Sequence, residues 1–170
     1  GETSNATVTI EVAAVNDATV TNADTVTTDE DTAVTFNPLT NDTDIDGNNA
    51  TLVSATDGTN GTVSVDTNTG EITYTPNADF VGTDSFTYTN SEGATETVNV
   101  TIGAVNDAPV ATNDGPLSTD EDTALNNIDV LGNDSDVDGD TLTVTAATSA
   151  NGDVVINSDG TLNFTPAQDF

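Results

Sequence analysis

Two short loops of the chain carry alternating carboxylates and end in a glycine. Residues 42–47 read Asp-Thr-Asp-Ile-Asp-Gly, and residues 134–139 read Asp-Ser-Asp-Val-Asp-Gly. Alternate carboxylates converge on one point when the backbone curls, and glycine permits the sharp turn. Hard oxygen ligands in groups of about six to eight suit Ca²⁺. The two loops are therefore candidate calcium sites, and the alternative for one such loop alone is a solvated acidic turn.

Neither loop is an EF-hand. An EF-hand needs a glutamate at the twelfth position of its loop and a helix on each side. The twelfth position is Val53 in the first loop and Thr145 in the second. No stretch of the chain keeps the apolar spacing of an amphipathic helix. The pattern therefore indicates a calcium loop in a β protein.

The composition excludes several kinds of chemistry. The chain has 30 Asp and Glu residues, no Lys, Arg, His, Cys or Trp, and a formal net charge of -30. Without basic side chains it cannot neutralise nucleic-acid phosphates, and anionic membranes repel it. Ser-His-Asp, Cys-His and Schiff-base lysine catalysis are excluded, as are His/Cys zinc sites and disulfides. No apolar run is long enough to predict a membrane span.

The chain repeats itself with a period of about 90 residues, which is large enough for one domain. Four segments return in register: 14–18 as 104–108, 29–33 as 120–124, 41–47 as 133–139 and 75–80 as 165–170. We therefore divide the chain into three parts. Residues 1–15 are the last strand of a preceding copy, residues 16–105 are one complete copy, and residues 106–170 are an incomplete copy.

Alternation of Thr and Val, with Gly, Asn and Asp clustered between the runs, predicts short strands with one buried face. In the complete copy we predict strands at 18–28, 33–37, 51–56, 61–66, 71–75, 84–90 and 94–102. Seven such strands predict an all-β fold. The whole chain is then a tandem of seven-stranded antiparallel β-sandwiches, with the second copy lacking its last two strands.

The second copy stops at Phe170, where the first continues into residues 81–88. We expect the chain to be a window on a longer array, since it has no Met even at its start. The alternative is that a neighbouring molecule fills the gap. Residues 6–13 are then a natural donor by strand addition, although they supply only one of the two missing strands.

Four motifs in combination resemble the bacterial cadherin-like tandem repeats, of the VCBS or tandem-95 type, found in giant repeats-in-toxin adhesins. The motifs are Ala-Val-Asn-Asp-Ala-Pro at 104–109, Thr-Asp-Glu-Asp-Thr at 119–123, Asn-Asp-x-Asp-x-Asp-Gly-Asp at 133–140 and Thr-Pro-x-x-Asp-Phe-Val-Gly-Thr-Asp-Ser-Phe-Thr-Tyr at 75–88. The resemblance implies cadherin- or Ig-like sandwiches with Ca²⁺ at the domain junctions. The repeats-in-toxin nonapeptide itself is missing.

The resemblance also implies a ligand set for each junction. The junction near residue 105 would use, from the first copy, Glu30 and Asp79 or Asp84, and, from the linker and the second copy, Asn106, Asp107, Asp134, Asp136 and Asp138. The junction near residue 16 would keep Asn16, Asp17, Asp42, Asp44 and Asp46. Asp140 adds one charge to the second loop where the first has Asn48. Glu121 and Asp169 would serve a following junction.

These observations predict a non-enzymatic, calcium-rigidified extender module of a secreted bacterial surface adhesin or fibre, a spacer in cell adhesion and biofilm. Its partners would be neighbouring repeats of the same chain or identical subunits, with no nucleic acid, membrane insertion or small-molecule substrate. One alternative is an extracellular filament subunit completed by strand exchange. Another is ligand binding or glycoside hydrolysis by two carboxylates, which 4% aromatic residues and the lack of Trp disfavour.

Overall fold

The computed structural model describes residues 1–47 and 50–169. The chain divides into two compact units, residues 1–104 (unit 1) and residues 105–170 (unit 2). Asn48, the counterpart of Asp140 in the first acidic loop, lies outside the described residues, as does Phe170. The described chain is all-β apart from one turn of 3₁₀-helix.

The described residues of unit 1 form seven strands in two sheets with a sandwich-like arrangement. The strands are β1 (Asp24–Asp29), β2 (Val34–Phe36), β3 (Leu52–Ala55), β4 (Gly61–Asp66), β5 (Glu71–Pro76), β6 (Gly82–Asn90) and β7 (Thr95–Gly103). One sheet has the order β1-β7-β6-β3, and the other has the order β2-β5-β4. The 3₁₀ turn, Pro38–Asn41, lies between β2 and β3 and leads directly into the first acidic loop.

Each strand predicted for the complete copy has a counterpart in unit 1, with two corrections. The first strand begins at Asp24 instead of residue 18, because among the described residues the only β-bridge of the preceding segment is the one between Val20 and Thr43. In addition, β1 pairs with β7 in parallel, with Asp24 opposite Val98 and Asp29 opposite Gly103. The sheet is therefore mixed, not purely antiparallel.

The core of unit 1 lies between the two sheets and follows the period of two. Its buried apolar residues are Leu52, Ile72, Tyr74, Phe86, Tyr88, Val98, Val100 and Ile102. The rings of Tyr74 and Phe86 are stacked with their centroids 5.8 Å apart. Alternate residues of the same strands are mostly Thr and Ser, and they face outward. This alternation is what a sheet with one buried face requires.

In unit 2 the part of the chain that the structure describes forms three strands, β8 (Leu125–Ile128), β9 (Gly152–Ile156) and β10 (Leu162–Pro166), in the order β8-β10-β9. They correspond to β2, β4 and β5 of unit 1. The prediction that only the last two strands would be missing is therefore wrong for this unit. Among the described residues, the counterparts of β1 and β3 form no strand. In unit 1 the ladder partners of β1 and β3 are β7 and β6.

Candidate calcium site at the linker and the acidic loop

In unit 1 the acidic loop holds the segment that leads into the first strand. The backbone N–H of Asp17 donates to Oδ2 of Asp46 at 2.6 Å, and the N–H of Asn22 donates to Oδ1 of Asp42 at 2.9 Å. Within the loop, the N–H of Asp46 donates to Oδ1 of Asp44 at 2.7 Å. Loop carboxylates therefore fix the backbone of the linker as well as their own turn.

A short antiparallel bridge fastens the same two segments together. Val20 donates to the carbonyl of Thr43 at 2.8 Å and accepts from its N–H at 3.0 Å. The loop then turns back at Gly47, whose φ of 74° lies in the left-handed region that glycine enters without strain. The backbone bridge and the turn at Gly47 thus give the loop the curled shape that the alternating carboxylates predicted.

Unit 2 repeats this arrangement bond for bond. The N–H of Asp107 donates to Oδ2 of Asp138 at 2.7 Å, and the N–H of Asp138 donates to Oδ1 of Asp136 at 3.0 Å. Oδ1 of Asp134 accepts from the N–H of Thr112 at 2.8 Å. Two more features match unit 1: a bridge between Val110 and Ser135, and a φ of 79° at Gly139.

The side chains of Asn16 and Asn106 also have matching positions. Each amide donates to the carbonyl of the following aspartate, at 2.9 Å in unit 1 and 2.7 Å in unit 2. The structure therefore brings together, within each unit, the linker Asn-Asp pair and the loop aspartates that the sequence selected. Asp140 joins the second set, since its N–H donates to Oδ1 of Asp136 at 3.2 Å.

Small cavities lie beside both arrangements. In unit 2 a cavity of about 380 Å³ is lined by the linker pair, Asn106 and Asp107, and by Asp134, Asp136 and Asp140. In unit 1 a cavity of about 330 Å³ is lined by Thr19, Asp42 and Asp44 among others. The polar side chains that line both cavities offer carboxylate, amide and hydroxyl oxygens. These are the ligand atoms that Ca²⁺ selects. The residues present therefore fit this cation.

Asp24, at the start of β1, lies close to other carboxylates around the loop of unit 1 and is repelled by them. Oδ2 of Asp24 is buried and has no hydrogen-bond partner among the described residues. Burial, with the nearby charges of Asp42 and Glu96, raises the pKa of Asp24 to about 6, and a hydrogen bond from Asn41 offsets part of this. Carboxylates that repel one another in this way are relieved by a cation.

The opposite end of β1 has a second acidic group. Glu30 is 4% exposed, and its N–H donates to the carbonyl of Gly103, where β7 ends. The N–H of Asp79 donates to Oδ1 of Asp31 at 3.3 Å. Both Asp31 and Asp79 have a positive φ, as do their counterparts Asp122 and Asp169 in unit 2. Aspartate tolerates this conformation better than most residues, at a cost in strain.

The carboxylate of Asp84 is held by hydrogen bonds within unit 1. It accepts hydrogen bonds from the hydroxyl of Tyr74 at 2.8 Å and from the N–H groups of Thr59, Asn60 and Ser85. Burial works to raise the pKa of Asp84, but these hydrogen bonds outweigh it and hold the pKa below its ordinary value. Four hydrogen-bond donors therefore occupy the carboxylate of Asp84.

Two known domain families match successive parts of the chain. Residues 16–103, just over half of the sequence, match the bacterial Ig domain family. The chain belongs to this family. Residues 105–170 match the cadherin-like domain family, so the bacterial Ig domain is followed by a cadherin-like one. No curated protein matches the chain. The resemblance to a bacterial cadherin-like repeat is thus supported at the level of these two families.

Domains of these two families are generally structural rather than enzymatic, and they are typically extracellular or surface-exposed. In the described part of the bacterial Ig domain and its cadherin-like neighbour, no helix is long and apolar enough to cross a membrane. Cadherin-like domains typically bind calcium, which agrees with the oxygen donors of the acidic loops.

The sequence analysis missed one residue at the linker of the bacterial Ig domain. Oε2 of Glu92, in the turn between β6 and β7, accepts from the N–H of Thr19 at 2.7 Å. The buried side chain of Asn90 shapes that turn by accepting from the N–H groups of Glu92 and Ala94. Glu92 was missed because the search relied on repetition, and this hairpin occurs once in the chain.

Proposed function

We propose that the chain is a calcium-rigidified extender module of a secreted bacterial surface adhesin or fibre. It would hold a fixed distance between the cell and its target in adhesion and biofilm formation. The family assignment supports the structural and extracellular parts of this proposal. The motif resemblance at residues 75–88 and 104–109 supports the repeats-in-toxin type of adhesin.

The observation that carries the proposal is the linker–loop hydrogen bond. It runs from Asp17 to Asp46 in unit 1 and from Asp107 to Asp138 in unit 2. In both units the linker backbone is thereby attached to the carboxylates that would bind the cation. Calcium in the loop would neutralise these carboxylates and hold the linker in one orientation. An array of such units would become stiffer when calcium is bound.

Electrostatics supports a role for the cation. With a net charge of -30 and no basic side chain, the protein has no internal counter-charge for its clustered carboxylates. Extracellular calcium modules bind with Kd of about 10⁻⁴ to 10⁻³ M. At free calcium near 100 times Kd, each site contributes roughly 2.7 kcal/mol. A few sites would then be comparable to the whole stability of a domain, about 5–15 kcal/mol.

The proposed ligands follow the two acidic groups of the structure. Each linker–loop site would use its Asn-Asp pair and its loop aspartates, with Asp140 added in unit 2. Glu30 and Asp79, at the end of unit 1 where β7 finishes, would serve the linker that follows. The neighbouring repeat of the same chain is then the natural partner at the cell surface, since each linker joins two repeats.

The experiment measures bound calcium, melting temperature and maximum dimension of the chain, in calcium and in chelator. Asp46→Asn and Asp138→Asn should each weaken calcium binding and reduce the calcium-dependent rise in melting temperature. Glu71→Gln and Asp153→Asn remove the same charge from exposed strand positions and serve as matched controls. If calcium changed neither the melting temperature nor the maximum dimension, the proposal would be wrong.

A further inference from the structure

The linkers of the two units differ at a single position when residues 14–20 are compared with residues 104–110. Unit 1 has Thr19 where unit 2 has Pro109. A proline ring fixes φ at about −65° and removes the backbone donor, so Pro109 stiffens its linker by its own geometry. Thr19 lacks this restriction, but it keeps an N–H group. In unit 1 that N–H forms a hydrogen bond that holds the linker.

The N–H of Thr19 donates to Oε2 of Glu92 at 2.7 Å, and this bond joins the linker to the turn between β6 and β7. Thr19 is 8% exposed, so the bond is largely shielded from water. The hydroxyl of Thr19 also donates to Oδ2 of Asp44, at 3.4 Å. The same residue therefore contacts the turn through its backbone and the first acidic loop through its side chain.

The turn that carries Glu92 is itself well fixed. The side chain of Asn90, which is 2% exposed, accepts from the N–H groups of Glu92 and Ala94. The N–H of Ser91 donates to the carbonyl of Thr51 at 2.8 Å, and the hydroxyl oxygen of Ser91 accepts from the N–H of Thr51 at 3.0 Å. The carboxylate of Glu92 therefore reaches the linker from a defined position.

Thr19 lies between the two contacts that attach the linker to the loop. Two residues before it, the N–H of Asp17 donates to Asp46, and directly after it Val20 forms the bridge with Thr43. A bond at Thr19 keeps the linker backbone beside the loop before any ion arrives. Ordering that is already present in the free protein does not have to be supplied by the free energy of binding, so affinity rises.

We propose that Glu92 is a positioning residue for calcium at the first acidic loop. It acts through the N–H of Thr19 and is not itself a ligand. In unit 1 this hydrogen bond replaces the restriction that the ring of Pro109 imposes in unit 2. The inference rests on the proposed calcium function, and it names the side chain outside the loop that sets the affinity of the site.

Nuclear magnetic resonance titration with calcium measures both loops in one sample of the full chain. The amide signal of Gly47 reports the first loop, and that of Gly139 reports the second. Glu92→Ala should raise the calcium Kd at Gly47 about three- to tenfold, the ratio that one net hydrogen bond corresponds to, and leave the Kd at Gly139 unchanged. Glu71→Gln removes the same charge from an exposed position of β5 and should change neither. An equal change at Gly139 would indicate a general effect of charge and contradict the proposal.

Two further variants separate the hydrogen bond from the charge. Glu92→Gln keeps an oxygen that can accept from the N–H of Thr19 but lacks the charge, so it should retain most of the affinity. Thr19→Pro removes the donor and supplies the ring of unit 2, so adding Glu92→Ala to it should have no further effect. Equal losses in Glu92→Gln and Glu92→Ala, or losses that add in the double variant, would overturn the proposal.

Hydrogen exchange in chelator tests the bond without calcium. The amide of Thr19 should be protected in the wild-type chain and should lose that protection in Glu92→Ala. A Thr19 amide that exchanges freely in the wild type, or an equal Kd at Gly47 with and without Glu92, would overturn this inference and leave the proposed function standing. A wild-type chain in which calcium shifts neither Gly47 nor Gly139 would instead overturn the proposed function, and this inference with it.

Discussion

The hydroxyl of Tyr88 donates a hydrogen bond to Oδ2 of Asp42 at 3.1 Å, and this bond joins the core of unit 1 to its acidic loop. Tyr88 is fully buried. Burial, with the negative charge and the hydrogen bond of Asp42, raises the pKa of this hydroxyl well above its ordinary value, so it remains a donor at physiological pH. A change of charge at the loop therefore reaches an aromatic ring in the core.

We predict that Tyr88 sensitises the luminescence of terbium bound in place of calcium at the first loop. The ring lies next to a candidate ligand, and unit 2 contains no tyrosine. Tyr88→Phe should abolish most of the sensitised emission and cost about 1–2 kcal/mol of stability, because Asp42 loses a donor. Tyr74→Phe removes the other buried tyrosine hydroxyl, which bonds to Asp84, and should retain the emission. Equal emission from both variants would place the ion elsewhere.

Gly47→Ala should weaken calcium binding to unit 1. A side chain at φ of 74° costs about 1–2 kcal/mol, and no atom of the described residues outside the immediate neighbours lies within 4 Å of the added methyl group. Gly93→Ala is a matched control, since Gly93 has a φ of 83° and equally open surroundings in the turn between β6 and β7. Both variants should lose similar stability in chelator. Calorimetric titration should show reduced calcium affinity for Gly47→Ala, and similar affinities for both would count against the loop.

Asp24 makes the stability of unit 1 depend on pH in the absence of calcium. Its pKa is about 6 in the folded protein, against an ordinary value of 3.8, so the folded state holds the proton more tightly than the unfolded state does. Stability is therefore greatest below pH 3.8 for this group, and it falls as the pH rises towards 6. Because Asp24 is partly exposed, solvent screening limits the loss to about 1 kcal/mol.

The variant Asp24→Asn should remove that dependence. Thermal melting in chelator should show the variant to be more stable than the wild type at pH 7 and close to it at pH 4. Glu71→Gln, at an exposed position of β5, should leave the slope between these pH values unchanged. A wild-type slope that persists in Asp24→Asn would assign the effect to another carboxylate.

Asp84 and Asp79 should separate stability from calcium binding. Asp84→Ala leaves the hydroxyl of Tyr74 and three N–H groups without their acceptor, and should cost about 3 kcal/mol or more in denaturant unfolding. Asp79→Asn keeps a residue that tolerates a positive φ and should change stability little while lowering calcium stoichiometry or affinity. The reverse pattern would make Asp84 the ligand.

Much of unit 1 was predictable because its strands alternate locally. The exception is the first strand, which begins at Asp24 and pairs in parallel with β7 some 70 residues further along. Nothing near Asp24 in the sequence specifies that partner, since strand pairing depends on the whole sheet. The same dependence applies to unit 2, where residues 114–119 align with β1 in the sequence repeat but form no strand in the described structure.

For the candidate site, sequence repetition identified the residues that occur in both units, but it could not identify a residue that occurs in one unit alone. The linker pair and the loop aspartates occur twice, and the structure joins them in each unit by the same bonds, Asp17 to Asp46 and Asp107 to Asp138. Glu92 occurs in a hairpin without a second copy and was missed. The raised pKa of Asp24 depends on burial and on the charge of Glu96. Glu96 lies on a distant strand, so no local sequence pattern reveals this effect.

The parallel ladder of β1 and β7 determines how unit 1 responds to tension. The chain enters the sheet at Asp24 and leaves it at Gly103, and these residues lie at opposite ends of two adjacent strands that run in the same direction. A force applied through the two ends would slide one strand along the other and stretch all the bonds of the ladder at once, instead of peeling them apart one after another. Rupture would then require the six residue pairs to fail together, which suits a module that is pulled along its length.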